Sequence, residues 1–228
     1  LTSAELNPQG NIDQMERFEG MRVEIDVLNV VAPTGGRVNE KTGEATSDGV
    51  FFGVIAGTPR PFREAGLDKL TIIVDKLPPP PTYFDMNPEL LRIDSDSQTG
   101  AKPIDVMSGA TLKNITGVVD YAFKSYTVLV DANNPPTVED LKTFVSASPA
   151  GEREVTVASF NIENFFDDEI NSGNVEKETI YPKEVFQKRL TKTSLAIRKV
   201  LSSRDVLGVI EVESVKVLQK LADKINAD

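Results

Sequence analysis

VTVASFNIENFF (residues 155–166) and VLGVIEV (residues 206–212) are the two apolar runs that decide how the second half of this chain folds. Each run has the composition of a β-strand. Polar side chains collect at the carboxyl end of each run, with Asn161 and Asn164 in the first and Glu211 in the second. We therefore interpret both runs as strands that carry functional groups at their ends.

The segment between the runs, residues 184–201, has helical spacing. Its apolar residues recur at intervals of four, seven and four, which places them on one helical face: Phe186, Leu190, Ile197 and Leu201. A strand, a helix and a second strand predict a parallel pair, and parallel strands end at the same edge of a sheet. We therefore expect Asn161 and Glu211 to lie close together. The basic residues Lys188, Arg189 and Lys192 are interpreted as a solvated polar face of the helix.

The motifs at these positions are similar to those of a known family. ASFNIENFF (residues 158–166), then a Lys/Arg-rich helix and DVLGVIEVE (residues 205–213), resembles the start of the catalytic domain in the endonuclease/exonuclease/phosphatase superfamily. The resemblance implies that Asn161 orients the scissile phosphate and that Glu211 is a ligand of the catalytic Mg²⁺ or of another divalent cation. We expect these 228 residues alone not to bind that cation tightly. Ile210 stands where the family usually has Gln. The resemblance predicts a partial α/β (β-α-β-α) unit of a metal-dependent nuclease over residues 154–228.

Composition sets limits on function. The 228 residues suggest one or two domains, and no apolar segment is long enough to cross a membrane. There is no cysteine, so the sequence contains no disulfide framework. The net charge is −10, and residues 1–150 carry 13 Lys+Arg against 21 Asp+Glu, a net −8. That portion lacks the basic stripe expected of a strong non-specific nucleic-acid clamp.

The chain contains no histidine. The resembling family uses His as an acid/base group, because His titrates near neutral pH. We therefore expect the catalytic machinery to be incomplete in this chain. The expectation is that the family's later motifs lie beyond residue 228, and that these 228 residues alone do not hydrolyse nucleic acid.

The first half of the chain has the pattern of a small β-barrel. Strand-like runs recur about every dozen residues, without a convincing helix before position 138; they are residues 17–31, 49–56, 69–74, 90–94, 111–119 and 121–130. Residues 33–49 are interpreted as a loop. We predict an arm at residues 1–14, a barrel at 15–132 and a linker at 133–153, which is rich in Pro, Ser, Gly and Ala.

This half also resembles a known domain. ERFEGMRV (residues 16–23), PRPFRE (59–64) and GVVDYAF (117–123) are similar to the OB-fold-like domain that precedes the nuclease domain in bacterial extracellular nucleases. The resemblance implies a secreted or extracellular protein, or a periplasmic one, that acts on nucleic acid and not at a membrane. Arg60, Phe62 and Arg63 are candidates for binding a single strand by charge and stacking. Packing of their loop is the favoured alternative.

Two other functions stay open at this point. The chain is alternatively a non-catalytic OB-like binding or scaffold module, or a phosphatase that acts on lipid or sugar phosphates. The run at residues 206–210 also predicts a strand buried on both faces. Two strands and two helices cannot cover such a sheet, so we expect exposed apolar surface. A homo-oligomer, a partner segment that completes the sheet, or packing on the barrel would cover it.

Overall fold

The computed structural model describes residues 1–39, 41–58, 88–123, 125–139, 146–170 and 179–228. The chain divides into two compact units. The first comprises Leu1–Arg37 and Thr46–Lys142, and the second comprises Val38–Ala45 and Thr143–Asp228. The predicted strand at residues 69–74 lies outside the described residues.

Five strands of the first unit form a closed barrel. The strands are β1 Arg22–Ala32, β4 Val50–Ile55, β5 Leu91–Asp94, β6 Thr111–Ala122 and β7 Ser125–Val130. They follow the order β1-β4-β5-β7-β6, and the pairing of β1 with β6 closes the ring. The β5–β7 pair is parallel and the other pairs are antiparallel. The predicted mainly β fold with a barrel is therefore confirmed.

The other elements in the first half of the chain are short. β2 (Gly36–Asn39) pairs with β3 (Glu44–Ser47) as a separate two-stranded sheet, so part of the stretch predicted as a loop forms strands. Every side chain of β2 is exposed, and for this reason no apolar pattern marked it. Among the described residues before position 139, helical structure is confined to the 3-10 turn Glu16–Phe18.

The barrel encloses one apolar core. Val23 and Ile25 of β1 point into it and alternate with exposed charged residues. The inward phase then moves to Leu28 and Val30, and Val27 is only half-buried. The phase changes where β1 faces Asn114, which has a left-handed φ of 58°. The buried residues of the core are Leu6, Met15, Val23, Ile25, Leu28, Val30, Phe51, Ile55, Leu91, Ile93, Val106, Ala110, Leu112, Ile115, Val119, Val128 and Val130.

Two strand glycines permit close packing of the barrel wall. A Cβ at Gly53 would lie 2.7 Å from Leu28 Cδ2 and 2.8 Å from the Asn29 carbonyl oxygen. A Cβ at Gly117 would lie 2.3 Å from the carbonyl oxygen of Leu129. Glycine within a strand marks such points of close backbone approach.

The ends of this unit differ from the predicted boundaries. Leu6, within the predicted arm, is fully buried in the barrel core, where removal of its apolar side chain from water stabilises the fold. Residues 137–139, within the predicted linker, form β8 (Thr137–Glu139), which pairs with β6. The side chains of β8 are all exposed, so burial gave this strand no sequence pattern.

The second unit contains the predicted strand, helix and strand. β9 (Val157–Phe165) and β10 (Val206–Val212) pair in parallel, as predicted. Between them lie α1 (Lys183–Leu195) and a π-helical turn (Ala196–Val200) that continues it. A second helix, α2 (Val215–Ala227), follows β10, and the Ser214 hydroxyl accepts a hydrogen bond from the Val217 N–H at its start.

The helices cover one face of this two-stranded sheet. The core contains Ile162, Phe165, Tyr181, Val185, Phe186, Leu190, Ile197, Val217 and Leu221. On the opposite face Val157 is 73% exposed and Ile210 is 50% exposed. In the described residues only one face of β10 is therefore covered, as expected for two strands and two helices. The expected exposed apolar surface is present.

In the part of the chain that the structure describes, no helix combines the length and the apolar character that crossing a bilayer requires.

Thr156 and Asp205 join the amino ends of the two parallel strands. The Asp205 carboxylate accepts hydrogen bonds from the Thr156 N–H (2.9 Å) and from the Thr156 hydroxyl (2.7 Å). The Asp205 N–H donates in return to the Thr156 hydroxyl oxygen at 3.0 Å. The bonds from the Thr156 N–H and hydroxyl hold the pKa of the Asp205 carboxyl below its ordinary value.

We predict that this contact makes the second unit sensitive to acid. The Asp205 pKa is lowered in the folded state, so its stabilisation is present above the ordinary Asp pKa of about 3.9 and is lost as the pH falls through the lowered value. Urea unfolding of the wild type and of Asp205→Asn, followed from pH 7 to pH 2.5, measures this. The wild type should be more stable at pH 7, and the difference should shrink below about pH 4. A difference independent of pH would contradict the assignment.

Candidate functional site

Asn161 and Glu211 lie at the carboxyl end of the parallel pair, where its register changes. Ile210 pairs with Asn161, whereas Val212 pairs with Phe165. Residues 162–164 of β9 thus face the single residue Glu211 of β10. We call residues 162–164 the β9 bulge. Bulges redirect side chains, and they are over-represented next to active sites.

The two predicted site residues contact each other directly. The Asn161 side-chain amide donates to Glu211 Oε1 at 2.7 Å. The backbone N–H of Asn164 donates to Glu211 Oε2 at 3.1 Å. The backbone N–H of Glu163 donates to Asn161 Oδ1 at 2.8 Å, which fixes the orientation of the amide. The predicted proximity of Asn161 and Glu211 is confirmed.

The hydrogen bonds also set the charge of the site. The bond from Asn161 and then that from the Asn164 N–H hold the pKa of the Glu211 carboxyl below its ordinary value. The carboxylate is therefore ionised at neutral pH. Asn161 and Glu211 are both exposed, so a ligand has access to them from solvent. The ionised carboxylate is able to hold a hard cation, and the oriented amide beside it is able to donate a hydrogen bond to an anion.

The backbone at this site is strained. Three non-glycine residues have left-handed φ angles: 49° at Glu163, 46° at Asn164 and 65° at Glu211. The left-handed conformation costs about 1–2 kcal/mol for a residue with a Cβ. Such residues persist only where surrounding contacts determine them, and they concentrate at functional sites.

Arg189 of α1 supplies contacts of this kind. Its guanidinium donates to the carbonyl oxygens of all three residues of the β9 bulge, at 3.2 Å for Ile162 and Asn164 and by a short bond for Glu163. It also donates to the Tyr181 hydroxyl at 2.8 Å. The guanidinium carbon lies 5.1 Å from the centre of the Tyr181 ring and 5.6 Å from that of Phe165.

The interpretation of Arg189 as part of a solvated basic face is therefore wrong. Lys188 and Lys192 are exposed as predicted, but Arg189 is half-buried. Its position contained a signal, because it follows Val185 by four residues and Phe186 by three. That spacing places it beside the buried face of α1. The other candidates, Arg60, Phe62 and Arg63, lie outside the described residues.

The match to a known protein family lies in the part of the chain that contains the barrel. Residues 2–140 match a family model described as a domain of unknown function, DUF8508. The chain belongs to this family. No curated protein and no solved structure matches the chain. In this DUF8508 protein, Asn161 and Glu211 lie outside the matched residues, so the match does not bear on their role.

A second acidic group lies near the start of α2. One carboxylate oxygen from each of Asp167, Asp168 and Glu169 lies within 4.8 Å of the others, which is close enough to hold a metal ion. Lys220 Nζ already lies 2.7 Å from Asp167 Oδ2 and 2.9 Å from Glu169 Oε1. Burial alone would lower the pKa of Lys220, but its bonds to Asp167 and Glu169 outweigh burial and raise it. A lysine charge therefore partly neutralises this group.

We predict that Lys220→Met destabilises the DUF8508 protein. The Asp167 side chain is fully buried, and loss of its ammonium partner should lower the free energy of unfolding by about 1–3 kcal/mol. Lys216→Met on the exposed side of the same helix is the control and should change it by less than about 0.5 kcal/mol. Urea denaturation measures both. Equal stability of the two variants would show that Asp167 does not depend on Lys220.

Proposed function

We propose that this chain contributes to metal-dependent hydrolysis of phosphodiester bonds in nucleic acid. The observation that carries the proposal is the 2.7 Å hydrogen bond between Asn161 and Glu211 at the carboxyl edge of β9 and β10. Open α/β sheets bind ligands at that edge. The ASFNIENFF and VLGVIEVE motifs supply the same two residues by resemblance to the endonuclease/exonuclease/phosphatase superfamily.

The donor chemistry of the site fits a divalent cation such as Mg²⁺. Magnesium usually keeps several waters and binds through one or two carboxylates together with substrate phosphates. Glu211 offers one ionised, exposed carboxylate of that kind. Two hydrogen bonds orient its oxygens without using all of their lone pairs. When bound there, the cation would polarise the scissile phosphate and stabilise the leaving oxygen.

Asn161 has a separate role in this proposal. One N–H of its amide is committed to Glu211, and the second has no partner in the part of the chain that the structure describes. Its Oδ1 is held by the Glu163 N–H. The second N–H is thus available to bind a phosphate oxygen, so Asn161 would orient the substrate.

The barrel would bind or present the nucleic acid. Five strands in the order β1-β4-β5-β7-β6 agree with an OB-like barrel, a fold that binds oligonucleotides. The strongly acidic first 150 residues favour limited local contact over a broad electrostatic clamp. A secreted, extracellular or periplasmic location rests on the resemblance to extracellular nucleases alone. The exposed face of β9 and β10 would be covered by a second copy or by a further segment.

A non-catalytic binding or scaffold module is the second candidate. The absence of histidine favours it, because no imidazole acid/base group is present in this sequence. The two candidates differ in one respect that is easily measured. The hydrolase proposal requires a cation at Glu211, and the scaffold does not.

Cation binding by the isolated chain tests the proposal. We expect isothermal titration with Mg²⁺, and with Mn²⁺ as a second probe, to show weak but measurable binding to the wild type. Glu211→Gln should weaken it about tenfold or more, since loss of even an indirect metal contact has an effect of that size. Asp168→Asn is the matched control at the other acidic group and should bind as the wild type does.

The outcomes separate the candidates. No binding by the wild type, or equal binding by Glu211→Gln, would contradict the hydrolase proposal and favour the scaffold. Because the chain contains no histidine, we expect no Mg²⁺-dependent cleavage of DNA or RNA by these 228 residues alone. Cleavage that EDTA abolishes would contradict that expectation.

A further inference from the structure

We infer that Arg189 is a positioning residue, which orders the cation site through the backbone of the β9 bulge without touching the ligand. The inference deepens the proposed function and rests on it for the identity of the ligand. The geometric part, that Arg189 determines the conformation of the bulge, stands on contacts of its own.

The contacts of Arg189 are concentrated on the strained segment. Its guanidinium bonds to three consecutive carbonyl oxygens, those of Ile162, Glu163 and Asn164. The last two of these residues have left-handed φ angles. Three successive carbonyls that converge on one guanidinium group cannot be in extended strand geometry, because successive carbonyls of a strand point to opposite sides. The several fixed donors of the Arg189 guanidinium therefore favour the curled form of the bulge over the extended one.

The curled form places the amide hydrogens of the site. When these carbonyls turn toward Arg189, the N–H of Glu163 reaches Asn161 Oδ1 and the N–H of Asn164 reaches Glu211 Oε2. If the bulge relaxed to an extended strand, both bonds would be lost. Arg189 thus affects the orientation of both Asn161 and Glu211 through the backbone of the bulge, without contacting either side chain.

The position of the guanidinium is itself determined by its surroundings. The Tyr181 hydroxyl accepts one of its hydrogen bonds, and the rings of Tyr181 and Phe165 lie against it. Tyr181 is buried and Phe165 is fully buried. Arginine suits this arrangement because its planar fork donates in several fixed directions at once, whereas lysine presents a single compact charge.

Two substitutions separate the contribution of the Arg189 hydrogen-bond donors from the contributions of its charge and its apolar packing. Arg189→Met keeps the length and apolar packing but removes the donors, and Arg189→Lys keeps the charge but removes the fork. Lys192→Met is the matched control, since Lys192 is an exposed basic residue on the same helix. Urea unfolding of each variant establishes that the fold is retained.

The readouts are amide hydrogen exchange at Asn164 and Glu163 and titration with Mn²⁺ alone. We expect both Arg189 variants to exchange the Asn164 amide at least tenfold faster, while amides in the middle of α1 keep their protection. Their Mn²⁺ affinity should fall about tenfold, as for other groups that orient a metal ligand. Lys192→Met should match the wild type in both readouts.

The results that would overturn the inference are specific. Wild-type protection of Asn164 in Arg189→Lys would show that charge and not the fork orders the bulge, and the same result in Arg189→Met would show that neither does. If Arg189→Met does not fold, Arg189→Lys decides the question. If the wild type binds no Mn²⁺, the proposed function fails, and the exchange rates still decide whether Arg189 orders the bulge.

Discussion

The parallel pairing of β9 and β10 is the constraint on which the candidate site depends. A hairpin would place the carboxyl end of one strand beside the amino end of the other, so Asn161 and Glu211 would lie at opposite ends. A helical crossover makes the pair parallel and brings both ends to one edge. The contact between Thr156 and Asp205 fixes the other end of the pair, and the register that follows from it sets Asn161 beside Ile210.

Two kinds of unusual backbone geometry occur in the chain: close approach of neighbouring strands and left-handed φ angles. In the barrel wall, where strands approach closely, the sequence uses glycine at positions 53 and 117, and no strain results. At the candidate site the left-handed residues are Glu163, Asn164 and Glu211, and the conformation is costly for the two glutamates, whereas Asn adopts it more readily. Arg189 and the Asn161–Glu211 hydrogen bonds offset this cost. Left-handed non-glycine residues cluster at functional sites, and three of them occur together here, so this edge of the sheet is the candidate site.

Sequence reasoning predicted the elements that burial specifies. The helical face of Phe186, Leu190 and Ile197 and the parallel strands follow from apolar periodicity, and the meeting of Asn161 with Glu211 follows from topology. What it missed lacked such a pattern. The strands β2 and β8 bury nothing, and the inward phase of β1 changes opposite a single left-handed Asn114. Arg189 was misjudged because a charged residue was assigned to solvent by its type and not by its position on the helix.

The location of a bound cation tests the central claim most directly. Crystals grown or soaked with Mn²⁺, with anomalous differences recorded, would show where the cation binds without reference to activity. The structure predicts a peak within about 2.5 Å of a Glu211 carboxylate oxygen, with the Asn161 amide still bonded to that carboxylate. A peak only among Asp167, Asp168 and Glu169, or none at all beside an intact β9–β10 pair, would contradict the claim that this edge of the sheet is a cation site.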